Sequence, residues 1–188
     1  RRYRLLETLR QYGLDRLAEA GETETAQERF AAHFLALAYR EAPRFMDEGF
    51  TAADACLRAE ADNLRGAAEW CQQQRRWDVL ADLVVRLWQY YIEEAPADAL
   101  TWLRTALEAD AFADEQTRYD ALWATASLSI VVGDLEACVR WSAEARSLLE
   151  QDPDVVVSPW SWHADCLVAA YTGDFPLLDA LGRQMLAV

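Results

Sequence analysis

The sequence predicts an all-α fold in which antiparallel helix hairpins stack as an α-solenoid. Apolar residues recur at helical spacing along almost the whole chain, and no alternating run extends beyond the first few residues. Of the 188 residues 53% are hydrophobic, while only 7 are Gly and 5 are Pro, as is typical of a packed helical protein. The third observation is an internal repeat at an offset of 40 residues.

The N-terminal part predicts a short strand and two helices. Residues 2–6 alternate between polar and apolar side chains, which indicates a strand. The helix that follows is expected to end at Gly21, because glycine readily adopts the left-handed conformation of a helix C-terminus. Thr25 and Glu28 have the spacing of a capping box that opens the next helix, and Pro43 ends it.

Short polar breaks divide the rest of the chain into further helices. Thr51 is predicted to cap a helix that continues to Trp70 with a bend near Asp62, and residues 77–92 form a long apolar helix. The connection between these two helices is so short that they are expected to be antiparallel neighbours. Later helices are predicted over residues 97–109, 115–132, 135–150, 160–172 and 175–187.

The internal repeat superposes Gly133 and Asp134 on Gly173 and Asp174. Each unit contains a helix, a Gly-Asp turn and a second helix. The glycine is suited to end the first helix in a left-handed conformation, and the aspartate is suited to cap the second with its side-chain oxygen. Hairpins of this length, each burying its neighbour's apolar face, are typical of an α-solenoid.

The charge of the chain is uneven. All 18 basic residues are Arg, so no lysine is present for a P-loop, a Schiff base or a lysine-dependent kinase site. The net charge is -14, and residues 61–188 hold 21 acids against 9 Arg. This portion should repel nucleic acid and anionic lipid and attract a basic partner, while the Arg-rich residues 1–16 alone are suited to a phosphate backbone.

The cellular setting follows from cysteine usage and hydropathy. The four cysteines are scattered without a C-x-x-C pair, which favours free, buried thiols in a reducing cytoplasm. No stretch approaches the ~18 apolar residues of a membrane span. We therefore expect a cytoplasmic protein that does not bind a membrane, and since the chain begins RRYRLLET in mid-pattern, we expect a piece of a longer protein.

Candidate catalytic and metal-binding residues are few. His163 and Cys166 lie three residues apart on one predicted helix face, but two ligands do not complete a zinc site, and the other histidine, His33, is distant. Adjacent carboxylates such as Asp114 and Glu115 point in different directions on a helix and do not form a glycosidase pair. We expect no catalytic residue, metal site or cofactor in this segment; the alternative is a self-contained helical enzyme or metal-binding bundle, which elemental analysis would reveal.

Six residues form the predicted surface for a ligand or partner: Trp88, Tyr91, Glu93, Glu94, Trp160 and Trp162. We expect the four aromatic rings to be partly exposed, because each aromatic pair spans more than one helix face and flat amphipathic rings favour ligand contact. The two adjacent acids lie near a predicted helix C-terminus, where they oppose the macrodipole. Either that helix ends earlier, or the acids serve a partner.

Three segments resemble a large bacterial family: RYRLLETLRQYGLDRLAEAG at 2–21, QERFAAHFLALA at 27–38 and AEADNLRGAAEW at 59–70. The family is that of LuxR-family or AfsR-like transcriptional regulators, in which a signalling ATPase of the NB-ARC (AP) type precedes a winged-helix segment and a tetratricopeptide-like helical array. The most diagnostic residues are Arg4 to Thr8, which resemble the end of the winged-helix region, and Asn63 to Arg65, which resemble the start of the array.

The resemblance implies three parts. Residues 1–22 would end a winged-helix-like segment, residues 23–60 would be linking helices, and residues 61–188 would be tetratricopeptide-like repeats. It further implies a non-catalytic module that senses a ligand or partner and couples its binding to the ATPase and DNA-binding output. The expected partner is a basic protein or peptide, or a small-molecule effector, with nucleic acid contacted only through domains outside these residues.

Overall fold

The computed structural model describes residues 6–46, 48–110, 112–157 and 159–185. The predicted all-α class is confirmed: these residues form eleven α-helices and two 3-10 helices (Ala42–Met46 and Pro159–Trp162), with no strand among them. The predicted strand over 2–6 lies outside the described residues except for Leu6. The α-helices are α1 (Glu7–Ala20), α2 (Thr23–Glu41), α3 (Phe50–Arg58), α4 (Ala61–Gln73), α5 (Trp77–Arg86), α6 (Trp88–Glu94), α7 (Pro96–Ala109), α8 (Glu115–Val131), α9 (Leu135–Gln151), α10 (His163–Thr172) and α11 (Phe175–Met185).

The predicted capping box of Thr25 and Glu28 is wrong. α2 begins at Thr23 and no side chain caps it, so Thr25 lies within its first turn. The cause is the tight end of α1, where Gly21 has φ 69° and the N–H groups of residues 21 and 22 return to carbonyls of that helix. This left-handed turn leaves two linking residues, and the second helix follows at once.

The predicted cap at Thr51 is also wrong, because α3 already begins at Phe50 after Gly49. The ring of Phe50 packs edge-on against Phe45 at 5.2 Å between centroids. The bend predicted near Asp62 is a complete break at residues 59–60, between α3 and α4.

The long apolar block over residues 77–92 is two helices and not one. α5 ends at Arg86 and α6 begins at Trp88, with Leu87 in a turn between them. The break redirects the chain so that Trp88, Tyr90 and Tyr91, on different faces of α6, are all buried. A continuous helix would leave one of these faces in water.

Successive helices pack in a repeating order. α5 contacts α7, α8 contacts α9, and α10 contacts α11. In addition, α8 contacts both α5 and α10. α7 also contacts α8, and α9 contacts α10, so each pair of helices is packed against the next pair. At the N-terminal end α2 packs on both α4 and α5, which extends the same order to the beginning of the array.

α8 lies at the centre of the core. It contacts α5, α6, α7, α9 and α10, and residues 121–129 are buried without exception. Two of the three buried hydroxyls in this stretch donate to the carbonyl one turn earlier: Thr125 Oγ1 to Ala121 at 2.6 Å and Ser129 Oγ to Thr125 at 2.8 Å. The hydroxyl of Ser127 has no partner.

The cysteines are free thiols in the described part of the chain. Cys71 and Cys138 are buried, and burial raises the pKa of each to about 11, so both stay protonated at neutral pH. Cys56 and Cys166 are only half-buried, which corrects the expectation that all four are buried. Both of these lie on helix faces that a neighbour covers incompletely.

Two Gly-Asp turns have the same geometry. Gly133 and Gly173 have φ 86° and 74°, and the N–H groups of each Gly-Asp pair return to carbonyls of the preceding helix. Asp134 and Asp174 each accept a hydrogen bond from the backbone N–H three residues later, at 3.0 and 3.1 Å. Asp134 in addition forms an ion pair with Arg104 of α7 at 2.9 Å, which ties the first turn to the neighbouring helix.

Replacing Gly133 by alanine should lower the free energy of unfolding by about 1 kcal/mol, because a Cβ is strained at positive φ. Gly13, within α1, is the matched control: its φ is not positive and nothing lies within 4 Å of an added Cβ. Gly13→Ala should raise the free energy of unfolding by up to about 1 kcal/mol. Urea denaturation checks both, and equal effects of the two substitutions would contradict the role of the turn.

Candidate binding site between helices α4, α6 and α7

The expected exposure of Trp88 and Tyr91 is wrong, since they are 8% and 2% exposed. The turn at Leu87 places α6 against α7 and α8, where Trp88 packs edge-on against Trp123 at 5.4 Å and Tyr91 against Trp102 at 5.8 Å between centroids. These two rings therefore belong to the core. Tyr91 also lines a cleft between α4, α6 and α7.

Glu93 and Glu94 are exposed at the C-terminal end of α6, as two acids that oppose its macrodipole. The helix includes both acids, so the expectation that it ends earlier is wrong, and within the described structure the chain itself supplies a counter-ion for them. Arg58 of α3 forms ion pairs with both carboxylates, with Nη2 3.2 Å from Glu93 Oε2. Arg58 also pairs with Asp54 at 2.7 Å, so one guanidinium faces three carboxylates.

Of the second aromatic pair, the structure describes the side chain of Trp162. Trp162 is half-buried beside a cavity of about 20 Å³ that Tyr119, Arg146 and Asp165 also line. Such a volume holds about one water molecule. The side chain of Trp160 lies outside the described part of the structure.

A cleft of about 130 Å³ opens between α4, α6 and α7. Three aromatic rings and several charged side chains form its walls. The lining residues are Ala61, Asp62, Arg65, Tyr90, Tyr91, Glu94, Ala95, Asp98 and Trp102. We call this space the aromatic–acidic cleft.

Tyr91 lines this cleft, and its hydroxyl is buried without a hydrogen-bond partner. Desolvation raises the pKa of the phenol well above its ordinary value, and the charged side chains of Arg65 and Asp98, which also act on that pKa, line the same cleft. The phenol is therefore neutral, and the lone pairs of its unpartnered oxygen are free to accept a hydrogen bond.

Carboxylates dominate the charged side of the cleft. Asp98 forms an ion pair with Arg65, and Glu94 with Arg58, whereas Asp62 forms no ion pair with any described residue. Three carboxylates thus face one lining guanidinium, that of Arg65. The first turns of α4 and α7 each add about half a positive charge and the last turn of α6 about half a negative one, so the balance is negative.

A second cleft, of about 320 Å³, lies where α8 begins and α9 ends. Three carboxylates, of Glu115, Glu144 and Asp152, line it with one guanidinium, that of Arg118. This guanidinium is already engaged by Asp110 at 3.0 Å and Glu144 at 3.4 Å. Unlike the aromatic–acidic cleft, its lining has no aromatic ring.

His163 and Cys166 are not brought together with a third ligand. The ring of His163 packs on Trp88 at 5.6 Å between centroids, and Cys166 Sγ lies 3.8 Å from the sulfur of Met185. In the part of the chain that the structure describes, no group of three or more His, Cys, Asp or Glu side chains is arranged to hold a metal ion.

Sequence reasoning found Tyr91 and Glu94 but missed Asp62, Arg65 and Asp98 as members of the same site. The residues of α4 are three apart and share a helix face, which is a visible signal. Their meeting with Asp98 and Trp102 depends on how α4, α6 and α7 pack, and no local pattern shows that.

Comparison of this chain with protein-family models, with curated proteins and with solved structures gave no match in any of the three. Of the helices that the structure describes, none combines the length and the apolar character that crossing a membrane requires.

Replacing Tyr91 by phenylalanine should raise the free energy of unfolding by about 1 kcal/mol, because it removes a buried hydroxyl that has no partner. Ser127→Ala is a parallel case, since that hydroxyl is fully buried and also unpartnered. Thermal and urea denaturation measure both changes. A loss of stability in Tyr91→Phe would mean that its hydroxyl has a partner in the folded state.

The stability of the protein should fall as the pH drops below about 6.5, because burial lowers the pKa of His163 from its ordinary value of 6.5. The unfolded chain takes up a proton in this range before the folded protein does. His163→Phe should flatten the decline between about pH 7.5 and about pH 5.5 in urea midpoints, and His33→Asn, at an exposed position, is the control variant. Identical pH profiles for the two variants would contradict this assignment.

Proposed function

We propose that this chain is a non-catalytic interaction module that senses a basic protein or peptide. In the parent protein it would couple that binding to the ATPase and DNA-binding output of a signalling-ATPase transcriptional regulator of the LuxR or AfsR-like type. A small-molecule effector is a further possible occupant of the array. Nucleic acid would be contacted only through domains outside these residues, and the setting would be the cytoplasm.

Two features support the assignment to such a regulator. One is the resemblance of residues 2–21, 27–38 and 59–70 to that family. The other is the order of helix contacts, in which each helix pair packs on the next, because stacked helix hairpins are the packing that we propose for a tetratricopeptide-like array. Arrays of this kind present extended surfaces to partners.

The observation on which the basic partner depends is charge. Residues 61–188 hold 21 acids and 9 Arg, and many of the Arg side chains are already paired within the structure, as Arg65 is with Asp98 and Arg104 with Asp134. The remaining carboxylates give the array a negative potential. Such a potential speeds and orients the approach of a basic segment.

In this proposal, Arg58 links partner binding to the output. This residue belongs to α3, in the proposed linking part, and its guanidinium contacts Glu93 and Glu94 of the array. A cationic partner that engages these acids competes with Arg58 and shifts the contact between the two parts. Only a difference in affinity between the two arrangements transmits a signal, and this competition supplies one.

An arginine–glycine peptide should bind the purified chain with a dissociation constant that rises about tenfold between ~50 and ~300 mM NaCl. Fluorescence anisotropy of the labelled peptide measures this constant. A glutamate–glycine peptide of equal length is the control and should not bind. Absence of binding at low salt, or binding that salt does not weaken, would contradict the proposal.

A further inference from the structure

We propose that the aromatic–acidic cleft binds one arginine side chain of the basic partner, with the Tyr91 hydroxyl as a hydrogen-bond acceptor for its guanidinium. This inference deepens the proposed function and depends on it. It states where the arginine side chain binds, which group of the ligand is recognised, and which oxygen atom accepts its hydrogen bond.

The first reason is the unpartnered hydroxyl. Tyr91 is 2% exposed, its oxygen accepts and donates no hydrogen bond within the described structure, and it lines the cleft. A buried polar group without a partner is costly, so folded proteins rarely keep one. A ligand with N–H donors supplies the missing bond and removes that cost on binding.

The second reason is the sign of the charge. Asp62, Glu94 and Asp98 line the cleft against the single guanidinium of Arg65. A phosphate or carboxylate would meet three carboxylates at close range, which excludes an anion as the natural occupant. Asp62 is the carboxylate that no described basic residue pairs with, and it is therefore the most available to a cation.

The third reason is the shape of the walls. Tyr90, Tyr91 and Trp102 surround a space of about 130 Å³, which suits the end of one side chain and is too small for a folded segment. A guanidinium is planar, weakly hydrated and stacks on aromatic rings, and its five N–H donors reach several acceptors at once. An ammonium is more strongly hydrated and lacks the planar fork, so lysine should bind this cleft less tightly than arginine.

The source of the guanidinium is an arginine within a polypeptide and not free arginine. Acids continue past the cleft, because Glu93 and Asp54 lie around Arg58 next to Glu94. Flanking residues of a basic segment would contact these carboxylates, which a free amino acid cannot reach. Arg65, half-exposed and paired with Asp98, is the internal competitor that the incoming arginine displaces.

The experiment compares arginine–glycine, lysine–glycine and citrulline–glycine peptides of equal length, together with free arginine, on the full chain by anisotropy or calorimetry. Citrulline keeps the shape of arginine without its charge. The arginine peptide should bind most tightly, the lysine peptide several-fold more weakly, and the citrulline peptide and free arginine at least about tenfold more weakly. Equal binding of the arginine and citrulline peptides would overturn the inference.

Variants of the chain locate the binding. Tyr91→Phe and Asp62→Asn should each lower the affinity for the arginine peptide by about tenfold. The first variant loses a hydrogen bond to a charged group, and the second loses a carboxylate that faces the guanidinium. Arg65→Gln should raise the affinity for the arginine peptide, because the internal competitor is removed. The matched controls are Ser127→Ala, another unpartnered buried hydroxyl, and Asp154→Asn, an exposed loop carboxylate, and neither should change the constant more than about twofold.

The outcomes separate the two proposals. If the arginine peptide binds in a salt-dependent way and the cleft variants behave as their controls do, this inference fails while the proposed function stands. If no basic peptide binds the unaltered chain, both fail. Circular-dichroism melting of each variant shows that it is folded, so that a weaker constant reports on the cleft.

Discussion

The burial of α8 is the constraint to which the rest of the structure conforms. Residues 121–129 have no exposed face, so helices must surround this segment, and five of them do. The polar side chains of a helix that is buried on all sides cannot form hydrogen bonds to water, so they need partners within the protein. Thr125 and Ser129 meet this requirement by donating to the carbonyl one turn back, which lets small hydroxyl residues serve as core residues.

The turn at Leu87 follows from the same constraint. α5 and α6 both contact α8, and the break between them lets two short helices follow the curvature of the core where one long helix would leave it. The consequence reaches the aromatic–acidic cleft, because α6 carries Tyr91 and Glu94 to the side of α4 and α7. The core thus positions the site, and the site keeps one hydroxyl that the core does not satisfy.

Sequence reasoning succeeded where a single residue determines local geometry. Gly21, Gly133 and Gly173 all have positive φ, and the aspartates after the last two cap the following helices, because these preferences belong to the residues themselves. It failed where two local preferences compete. The left-handed turn at Gly21 starts the next helix at Thr23, so Thr25 lies inside that helix and cannot cap it. Trp88 was misplaced for a different reason, since its burial depends on partners far along the chain such as Trp123. The cleft required the same long-range knowledge, which one sequence does not contain.

The ion pairs that join different helices all use arginine. Arg58, Arg65, Arg104 and Arg146 each reach a carboxylate on another helix or turn. A guanidinium stays charged throughout the alkaline range that proteins tolerate, and enzymes that acetylate lysine amines have no target in these 188 residues. The ion pairs between helices can therefore be weakened at their carboxylate side, by protonation of the acid or by a competing cation, whereas lysine acetylation cannot affect them.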